Sequence, residues 1–388
     1  MYKKIILKPG KEKSILQKHH WIFSGAIARK DNDLTHGSCC SLYTSEHVFL
    51  ANGHYHDASI AFRALTFEPE ELNNAFFKRK LEEAYQIRCI LNFEKSNTNA
   101  YRLVHGEGDG LPGLIIDLYG EAAIIQCHTD GMTQHLEDIA TALQQVLTTK
   151  LAIIYYRHAS QKTQSKSIQG FLVGNSNEAI AFENNLQFKI NWAEGQKTGF
   201  FIDQRDNRLL LSQYTLNKKV LNTFCYTGGF SVFAAHGGAT MIHSVDSSAK
   251  ATILAHENVL LNFPNANHTI FTEDVNHFFK SSNDTYDVIV LDPPAFAKSK
   301  EAVRNAMIAY RNLNTEGIKR VSKNGIVFTF SCSQAVDKEL FRRLIFQASL
   351  QAGRTVRILH ELHQPPDHPI NIYHPEGEYL KGFVLSVQ

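Results

Sequence analysis

The sequence predicts an α/β protein whose C-terminal half is a doubly wound, mostly parallel sheet. A β-rich module and a small α+β segment precede it. Three observations carry that reading. From about residue 186 onward, short apolar strand patterns alternate with helical ones, as βαβ crossovers require. Before about residue 68 the apolar runs are short and are separated by Gly10, Gly25, Gly37 and Asn52-Gly53, the turn chemistry of a small β module. Between these regions helix and strand patterns mix without alternating. The expected domains are therefore residues 1–68, 69–185 and 186–388.

The chain of 388 residues is long enough for two or three domains. No apolar run approaches the ~18 residues of a transmembrane helix. The start, Met1-Tyr-Lys-Lys-Ile-Ile-Leu-Lys-Pro-Gly10, has no apolar core long enough for a secretory signal. The six cysteines are scattered, with only Cys39-Cys40 adjacent and no Cys-x-x-Cys pair. That argues against a zinc site and a disulfide framework, and for a reducing cytoplasm. The expectation is a cytoplasmic protein without membrane contact; the sequence leaves a homodimer open. Formal net charge is only +2, yet residues 1–30 hold eight Lys/Arg against Glu12 alone, and Lys298 to Lys323 hold seven against Glu301 and Glu316. Basic patches on a near-neutral chain point to an anionic partner met at particular places, such as nucleic acid. A solvated helix face is the plainer reading of the second patch.

In the first module, Ile5 to Leu7, Trp21 to Phe23, Ser41 to Tyr43, Val48 to Leu50 and Ile60 to Leu65 read as strands. His19-His20-Trp21 beside Lys8 and Lys11 could form a base-stacking, phosphate-holding surface; equally, Trp21 could anchor a small core. In the middle segment, Glu70 to Leu91 reads as a helix. Tyr101 to Asp117 reads as strand, Gly-rich turn, strand. Its Gly106, Gly108 and Gly110 imitate a dinucleotide loop, but a strand follows where a helix is required, so a hairpin is expected. Glu121 to His128 and Ala152 to Tyr156 read as strands, and Thr133 to Leu147 as an amphipathic helix.

The C-terminal half begins with a strand, Val220 to Phe224, that turns at Phe224-Cys-Tyr-Thr-Gly-Gly-Phe230. The turn residues Phe224, Tyr226, Thr227 and Gly228 are expected at a cofactor, with Gly228-Gly229 admitting a ligand where a Cβ would collide. The pattern is not Gly-x-Gly-x-x-Gly, which disfavours nicotinamide and flavin. The next strand, Thr240 to Val245, ends at Asp246, which with Ser247 is expected at the cofactor and could accept hydrogen bonds from both ribose hydroxyls of an adenosine, or serve as a helix N-cap aided by Ser247 and Ser248. Asp274, after the strand Thr269 to Phe271, is expected near the adenine. The fourth strand, Val288 to Leu291, runs into Asp292-Pro-Pro-Ala-Phe296, where two prolines fix a rigid extended turn. Ala302 to Val321 is a helix. The fifth strand, Ile326 to Phe330, ends on Ser331-Cys-Ser333, placing the Cys332 thiol at the sheet edge where ligands bind. A small structural cysteine is the alternative. Phe341 to Ala352 is a helix, and Val356 to Leu359 and Phe383 to Val387 are the last strands.

Leu7-Lys-Pro-Gly-Lys…His20-Trp-Ile-Phe-Ser-Gly25 resembles the start of a PUA-type RNA-binding domain. Asp292-Pro-Pro-Ala-Phe296 is similar to the Asp/Asn-Pro-Pro-aromatic turn of class I S-adenosylmethionine-dependent methyltransferases acting on nucleic-acid bases. Six stretches occur in order: Gly195 to Arg208, Phe224 to Phe230, Val245 to Ser248, Leu291 to Phe296, Phe330 to Ser333 and Pro375-Glu-Gly-Glu-Tyr-Leu-Lys-Gly382. Together they resemble the bacterial PUA-containing family of large-subunit ribosomal RNA cytosine-5 methyltransferases over nearly the whole chain. The resemblance implies an N-terminal PUA domain, a small α+β domain and a C-terminal Rossmann-like methyltransferase domain. It also implies S-adenosylmethionine as cofactor and large-subunit ribosomal RNA as partner. Lys197, Thr198, Gly199, Phe201, Asp203, Gln204 and Arg205 would then help wall the cofactor, together with Asp292 and Pro293.

The chemistry expected is addition of the Cys332 thiolate to cytosine C6, which makes C5 nucleophilic toward a sulfonium methyl. Elimination after loss of the C5 proton restores the ring. Asp292 would bind the cytosine N3/N4 edge. Pro294 and Phe296 would contact the flipped base, and Lys298 and Lys300 would hold phosphates. Some RNA cytosine-5 methyltransferases carry a second cysteine after these prolines, where this chain has Ala295. His360, His363, His368 and His374 gather near the C-terminus, but Pro365-Pro366 and Pro369 break any helix that could align them, so no metal is expected. Two readings compete: methylation of a ring nitrogen such as guanine N7, which needs no thiol, and an RNA-binding assembly factor without turnover.

Overall fold

The computed structural model describes residues 2–147, 150–158, 169–296 and 302–388. The chain divides into two compact units: residues 1–182 with 190–199 and 366–377, and residues 183–189 with 200–365 and 378–388.

The first unit opens with β1 (Lys3–Leu7), the short helix α1 (Lys13–Leu16), β2 (Trp21–Phe23), β3 (Ile27–Lys30), β4 (Cys39–Tyr43), β5 (Phe49–Tyr55) and β6 (Ile60–Thr66). These strands form one sheet in the order β2-β6-β5-β4-β1-β3. Ile5, Leu7, Leu42, Ala51 and Phe62 make its core. The 18-residue helix α2 (Asn74–Leu91) starts later than the apolar pattern suggests. Asn73 caps it, its side chain accepting from the Phe76 amide at 3.2 Å, and Asn92 ends it in a left-handed conformation. Then follow β7 (Ala100–His105), β8 (Leu114–Tyr119), β9 (Ala122–Cys127), α3 (Asp130–Thr133), α4 (Leu136–Val146), β10 (Ile153–His158) and β11 (Gln169–Val173), with sheet order β11-β10-β9-β8-β7. β7 and β8 pair antiparallel, so the triple-glycine stretch is a hairpin connection. Two buried ion pairs tie this region together. Arg102 donates to both Asp117 oxygens at 2.7 and 3.0 Å, and Arg88 pairs with Asp109. Residues 366–377 join the unit through Asp367, whose carboxylate accepts the Arg102 amide at 2.9 Å and whose carbonyl accepts from Arg88 at 2.8 Å. Nothing in the local sequence at 366–377 announces that membership.

A two-stranded ribbon, β12 (Glu178–Glu183) and β13 (Leu186–Asn191), follows. The second unit contains α5 (Arg205–Ser212), β14 (Lys219–Thr223), α6 (Gly229–His236), β15 (Met241–Asp246), α7 (Ala249–Asn262), β16 (His268–Thr272), α8 (Val275–Ser281), β17 (Tyr286–Leu291), α9 (Val303–Arg320), β18 (Val321–Ser331), α10 (Lys338–Ala352), β19 (Val356–Leu362) and β20 (Lys381–Val387). Its sheet runs β16-β15-β14-β17-β18-β20-β19. β14 to β18 pair in parallel, and β20 lies antiparallel between β18 and β19. The strand order reverses between β14 and β17, which makes the carboxyl ends of those strands the binding crevice of such a sheet. Helices cover it: Tyr310, Leu313 and Ile318 of α9 and Phe341, Leu344 and Ile345 of α10 pack with Ile289, Leu291, Val327 and Phe383 of the sheet. A buried polar line crosses β14, β15 and β16. Asn222 donates to Ser231 at 2.8 Å, the Ser231 and Ser244 hydroxyls are 2.7 Å apart, and Ser244 meets His268 Nε2 at 2.7 Å. Satisfied in this way, it fixes the mutual height of the three strands.

Candidate active site

Five strand ends of the second unit, those of β14, β15, β16, β17 and β18, bring the expected groups to one sheet edge. β14 ends in a turn whose backbone is unusual: Phe224 (φ 52°) and Tyr226 (φ 46°) take left-handed conformations, as does Gly228 (φ 80°). Non-glycine residues held there store strain, a feature that clusters at ligand sites. The turn is held by its neighbour strand, since the Cys225 amide donates to the Val245 carbonyl at 3.0 Å. Cys225 is buried, and burial pushes its thiol pKa well up, so it is a packing residue. Asp246 fixes the same turn, one oxygen accepting the Tyr226 amide at 3.0 Å and the other the Ser248 amide at 2.9 Å. The cap of α7 is Ser248, which accepts from the Ala251 amide at 3.3 Å. Asp246 is therefore aligned by two amides rather than consumed as an N-cap, and each oxygen keeps acceptor capacity for a ribose hydroxyl. Ser247 beside it is exposed.

The glycines correct one expectation. A Cβ on Gly228 would lie 2.8 Å from the Ala255 Cα and Cβ of α7, and one on Gly229 would lie 2.9 Å from Arg208 Cδ. The space freed at this pair is filled by the protein's own helix and arginine, so the pair serves close helix packing. Asp274 also acts structurally. It caps α8, one carboxylate oxygen accepting from the Asn276 and His277 amides at 2.9 and 3.2 Å. Its other oxygen is the one available beyond β16.

The stretch 195–208 divides between the two units. In the first, Thr198 is fully buried, its hydroxyl donating to Asp117 and lying 3.0 Å from the Tyr119 hydroxyl. That side chain anchors the Arg102–Asp117 pair instead of lining an open wall. Lys197 is exposed with a positive φ, and Gly199 (φ 107°) has no room for a Cβ against the Asn191 carbonyl at 2.9 Å. In the second unit, the Phe201 ring meets Tyr226 edge-on at 5.1 Å. The Asp203 carboxylate accepts from the Tyr379 hydroxyl at 2.7 Å, the Gln204 amide oxygen accepts from Asn207 at 2.7 Å, and Arg205 is buried. Sequence reasoning missed the group that organises them. Arg208 is buried and donates to both Glu183 oxygens at 2.8 and 2.6 Å and to the Phe201 carbonyl at 2.8 Å. Its charge, at the end of a polar helix start, was the available signal.

At the other side of the crevice, Leu291 of β17 pairs with Thr329 of β18. Asp292 is half-buried, Pro293 buried and Pro294 exposed. The half-buried Cys332 Sγ lies 4.0 Å from the Pro293 carbonyl oxygen, so the thiol faces the Asp-Pro-Pro turn. Phe296 rests on Tyr310, ring centroids 4.7 Å apart, and the Tyr310 hydroxyl is 3.0 Å from the Ser333 hydroxyl. Lys381, missed by sequence reasoning as an individual residue, is only 6% exposed and donates from Nζ to the Ser333 carbonyl at 2.8 Å. The β18–β20 register, with Ser331 opposite Lys381, sets it there. Gly382 permits the approach, since a Cβ would lie 2.5 Å from the Phe330 ring. Burial lowers the Lys381 pKa, opposed by the nearby Cys332, Glu378 and Asp337. A lysine inside an apolar strand pattern could have flagged it.

The RNA-facing candidates of the first unit fare differently. His20 is buried, its Nδ1 2.8 Å from the Ala64 carbonyl, which removes it from any base-stacking surface. Trp21 donates from its indole nitrogen to Glu107 at 2.8 Å and meets the His374 ring edge-on at 4.4 Å. Lys8 and Lys11 are exposed, Lys8 donating to the Gly25 carbonyl at 2.9 Å. Lys298 and Lys300 lie outside the described residues. The four C-terminal histidines have separate partners: His360 lies 2.8 Å from the Tyr214 hydroxyl, His363 2.7 Å from the Gln364 carbonyl, His368 3.2 Å from Asp367, and His374 packs against His19.

Residues 101–369 match the model of an S-adenosylmethionine-dependent methyltransferase family, and residues 5–67 match a PUA-like domain. The chain belongs to the S-adenosylmethionine-dependent methyltransferases. Within that family this methyltransferase is 36% identical, over 99% of both chains, to ribosomal RNA large subunit methyltransferase I of Escherichia coli O139:H28. Two solved structures share its fold from end to end. One is an S-adenosylmethionine-dependent methyltransferase from Streptococcus mutans, with TM-score 0.85, 24% identity and 99% of each chain covered. The other is the methyltransferase SMU.776 complexed with SAH, with TM-score 0.85, 25% identity and 99% of each chain covered. The enzyme is therefore a PUA-bearing methyltransferase that uses S-adenosylmethionine. The aligned Asp246 carboxylate and strained Phe224–Gly228 turn suit an adenosine with two ribose hydroxyls.

Proposed function

We propose that this methyltransferase forms 5-methylcytosine in large-subunit ribosomal RNA, with Cys332 as nucleophile. The observation that carries the reading is the Cys332 thiol set against the Asp292-Pro-Pro turn with the buried Lys381 ammonium on the adjoining carbonyl. A methyltransferase acting on a base nitrogen has no use for a thiol so placed. The ribosomal RNA substrate is supported by the name of the Escherichia coli relative and by the PUA-like domain.

Asp246, the Phe224–Gly228 turn, Phe201 and Asp274 would hold the cofactor, which would supply an electrophilic methyl group. Cys332 gives up its proton to solvent and its thiolate forms a bond to cytosine C6, the C5–C6 π pair moving onto C5. Negative charge gathers at C5 and N3, and C5 would take the methyl as the sulfonium's sulfur–methyl bond breaks, its electron pair staying on sulfur to leave a neutral thioether. A protonated Asp292 donates to N3 as that charge develops. Loss of the C5 proton to water then expels the thiolate and restores the ring. A free cysteine is only a few per cent thiolate at neutral pH. Lys381 addresses this, because a positive charge beside a thiol lowers its pKa.

The test is nucleoside mass spectrometry on unmethylated bacterial ribosomal RNA incubated with S-adenosylmethionine and either wild type or Cys332→Ala. The expected result is 5-methylcytosine from wild type only, with the variant at least about 1,000-fold slower and cofactor affinity near normal. A methylated guanine, or equal product from both proteins, would sink the role given to Cys332.

A further inference from the structure

A second cluster of reactive side chains lies inside the first unit, away from the strand ends described above. Cys39 of β4 and His54 of β5 are directly opposed across an antiparallel pair, so their side chains share a face. His135, immediately before α4, reaches the same point. His54 Nε2 and His135 Nε2 are 3.1 Å apart, Cys39 Sγ is 3.5 Å from His135 Nε2, and the three ligand atoms lie within 4.8 Å of one another. A tetrahedral zinc ion with bonds of about 2.0–2.1 Å to nitrogen and about 2.3 Å to sulfur sets its ligand atoms roughly 3.3–3.6 Å apart. The His54–His135 and Cys39–His135 separations are therefore close to the edges of such a tetrahedron.

We propose that Cys39, His54 and His135 bind a zinc-class divalent cation, with water in the fourth position. Imidazole plus thiolate is the donor set of borderline-soft metals, not of magnesium or calcium. The rings are already held in place. A Cβ on Gly131 would lie 2.4 Å from His54 Cγ, so only glycine admits that ring against α3. The Phe77 ring stands 4.8 Å from the His135 ring. Asp138 lies 3.8 Å from His135 Nδ1, the outer carboxylate that orients many metal-bound histidines. Burial lowers the pKa of both His54 and His135, and a neutral imidazole offers a ligating lone pair. His56 and Arg63 face His54 and oppose any added proton there. Burial pushes the Cys39 thiol up to about 11, so the cation must displace its proton, as metals do from thiols they bind. The ion would clamp two strands of the PUA-like sheet to helix α4, and so rigidify the first unit without entering the methyl transfer.

The experiment is metal analysis and competitive titration of the full-length, untagged protein, using zinc against a chromophoric chelator, in wild type, Cys39→Ser, His54→Gln and His374→Gln. The expected result is about one tightly held zinc per wild-type chain, lost in the first two variants and kept in the third. His374→Gln probes the other grouping, His19, His374 and Glu376. Cobalt loading gives a second readout: thiolate-to-cobalt charge-transfer absorption should appear in wild type and be absent from Cys39→Ser, a variant small enough to fold. Failure of wild type to bind zinc in competition, or equal binding by Cys39→Ser, would overturn the site. Zinc lost only in His374→Gln would move it elsewhere.

Discussion

Lys381 makes the sharpest single-residue forecast. Its ammonium sits on the Ser333 carbonyl, next to Cys332, so removing its charge should raise the Cys332 thiol pKa. Lys381→Met is expected to slow methylation at pH 7 by about 10- to 100-fold, with the rising limb of the pH–rate profile displaced to higher pH. Lys381→Arg should restore much of the rate. A uniform loss at every pH would reduce Lys381 to a packing role. Asp274 allows a cleaner separation, because Asn caps helices as well as Asp does. Asp274→Asn should leave the unfolding midpoint unchanged and weaken S-adenosylmethionine binding several-fold, whereas Asp274→Ala should also cost about 1 kcal/mol of stability. Unchanged cofactor affinity in the Asn variant would leave this residue as a cap alone.

At the scale of elements, a buried ion pair fastens α5 to the β12 end within the second unit. Arg208 of α5 pairs with Glu183 at the end of β12 and also holds the Phe201 carbonyl. Both side chains are almost wholly buried. Removing one partner strands the other charge in a poor solvent, so Arg208→Met should cost about 3 kcal/mol or more, read as a lowered urea midpoint. The loss should extend to cofactor binding, since the Phe201 carbonyl loses its donor. The double change Arg208→Met with Glu183→Gln should recover part of the stability.

For the whole molecule, acid sensitivity follows from a histidine buried as the neutral form. Burial, aided by His256 and His243, pushes the His268 pKa down from 6.5 to about 4. The unfolded chain therefore binds a proton that the folded chain refuses between those values. Its contribution is complete above about pH 6.5 and is lost progressively as the pH falls toward about 4. Urea midpoints measured from pH 7.5 to 4 should fall across that window, less steeply in His268→Asn. An identical slope in that variant would place the acid sensitivity elsewhere.

Much of this protein was legible in one dimension, because apolar periodicity is local. The β14-to-β18 strands and α6, α7, α9 and α10 appear where the alternation put them, α8 (Val275–Ser281) being the helix it did not foresee, and the turns carrying Gly228, Asp246, Asp292 and Cys332 follow the strands they were expected to follow. Motif order likewise brought the methyltransferase family and its cofactor into view. Other features depended on residues far apart in sequence. His20 was expected on an RNA-facing surface and Thr198 in the cofactor wall, yet tertiary packing buried them against Ala64 and Asp117. Gly228 and Gly229 looked like room for a ligand, yet Ala255 and Arg208 fill it. Lys381 reaches Ser333 only because β20 inserts antiparallel beside β18. Cys39, His54 and His135 meet because a cross-strand register and a helix start coincide, which no Cys-x-x-Cys spacing could announce. Local hydrophobic pattern thus set the elements and the chemistry-bearing turns. The partners of each polar group were set by the closure of a chain whose distant segments, 190–199 and 366–377 among them, return to satisfy buried charges.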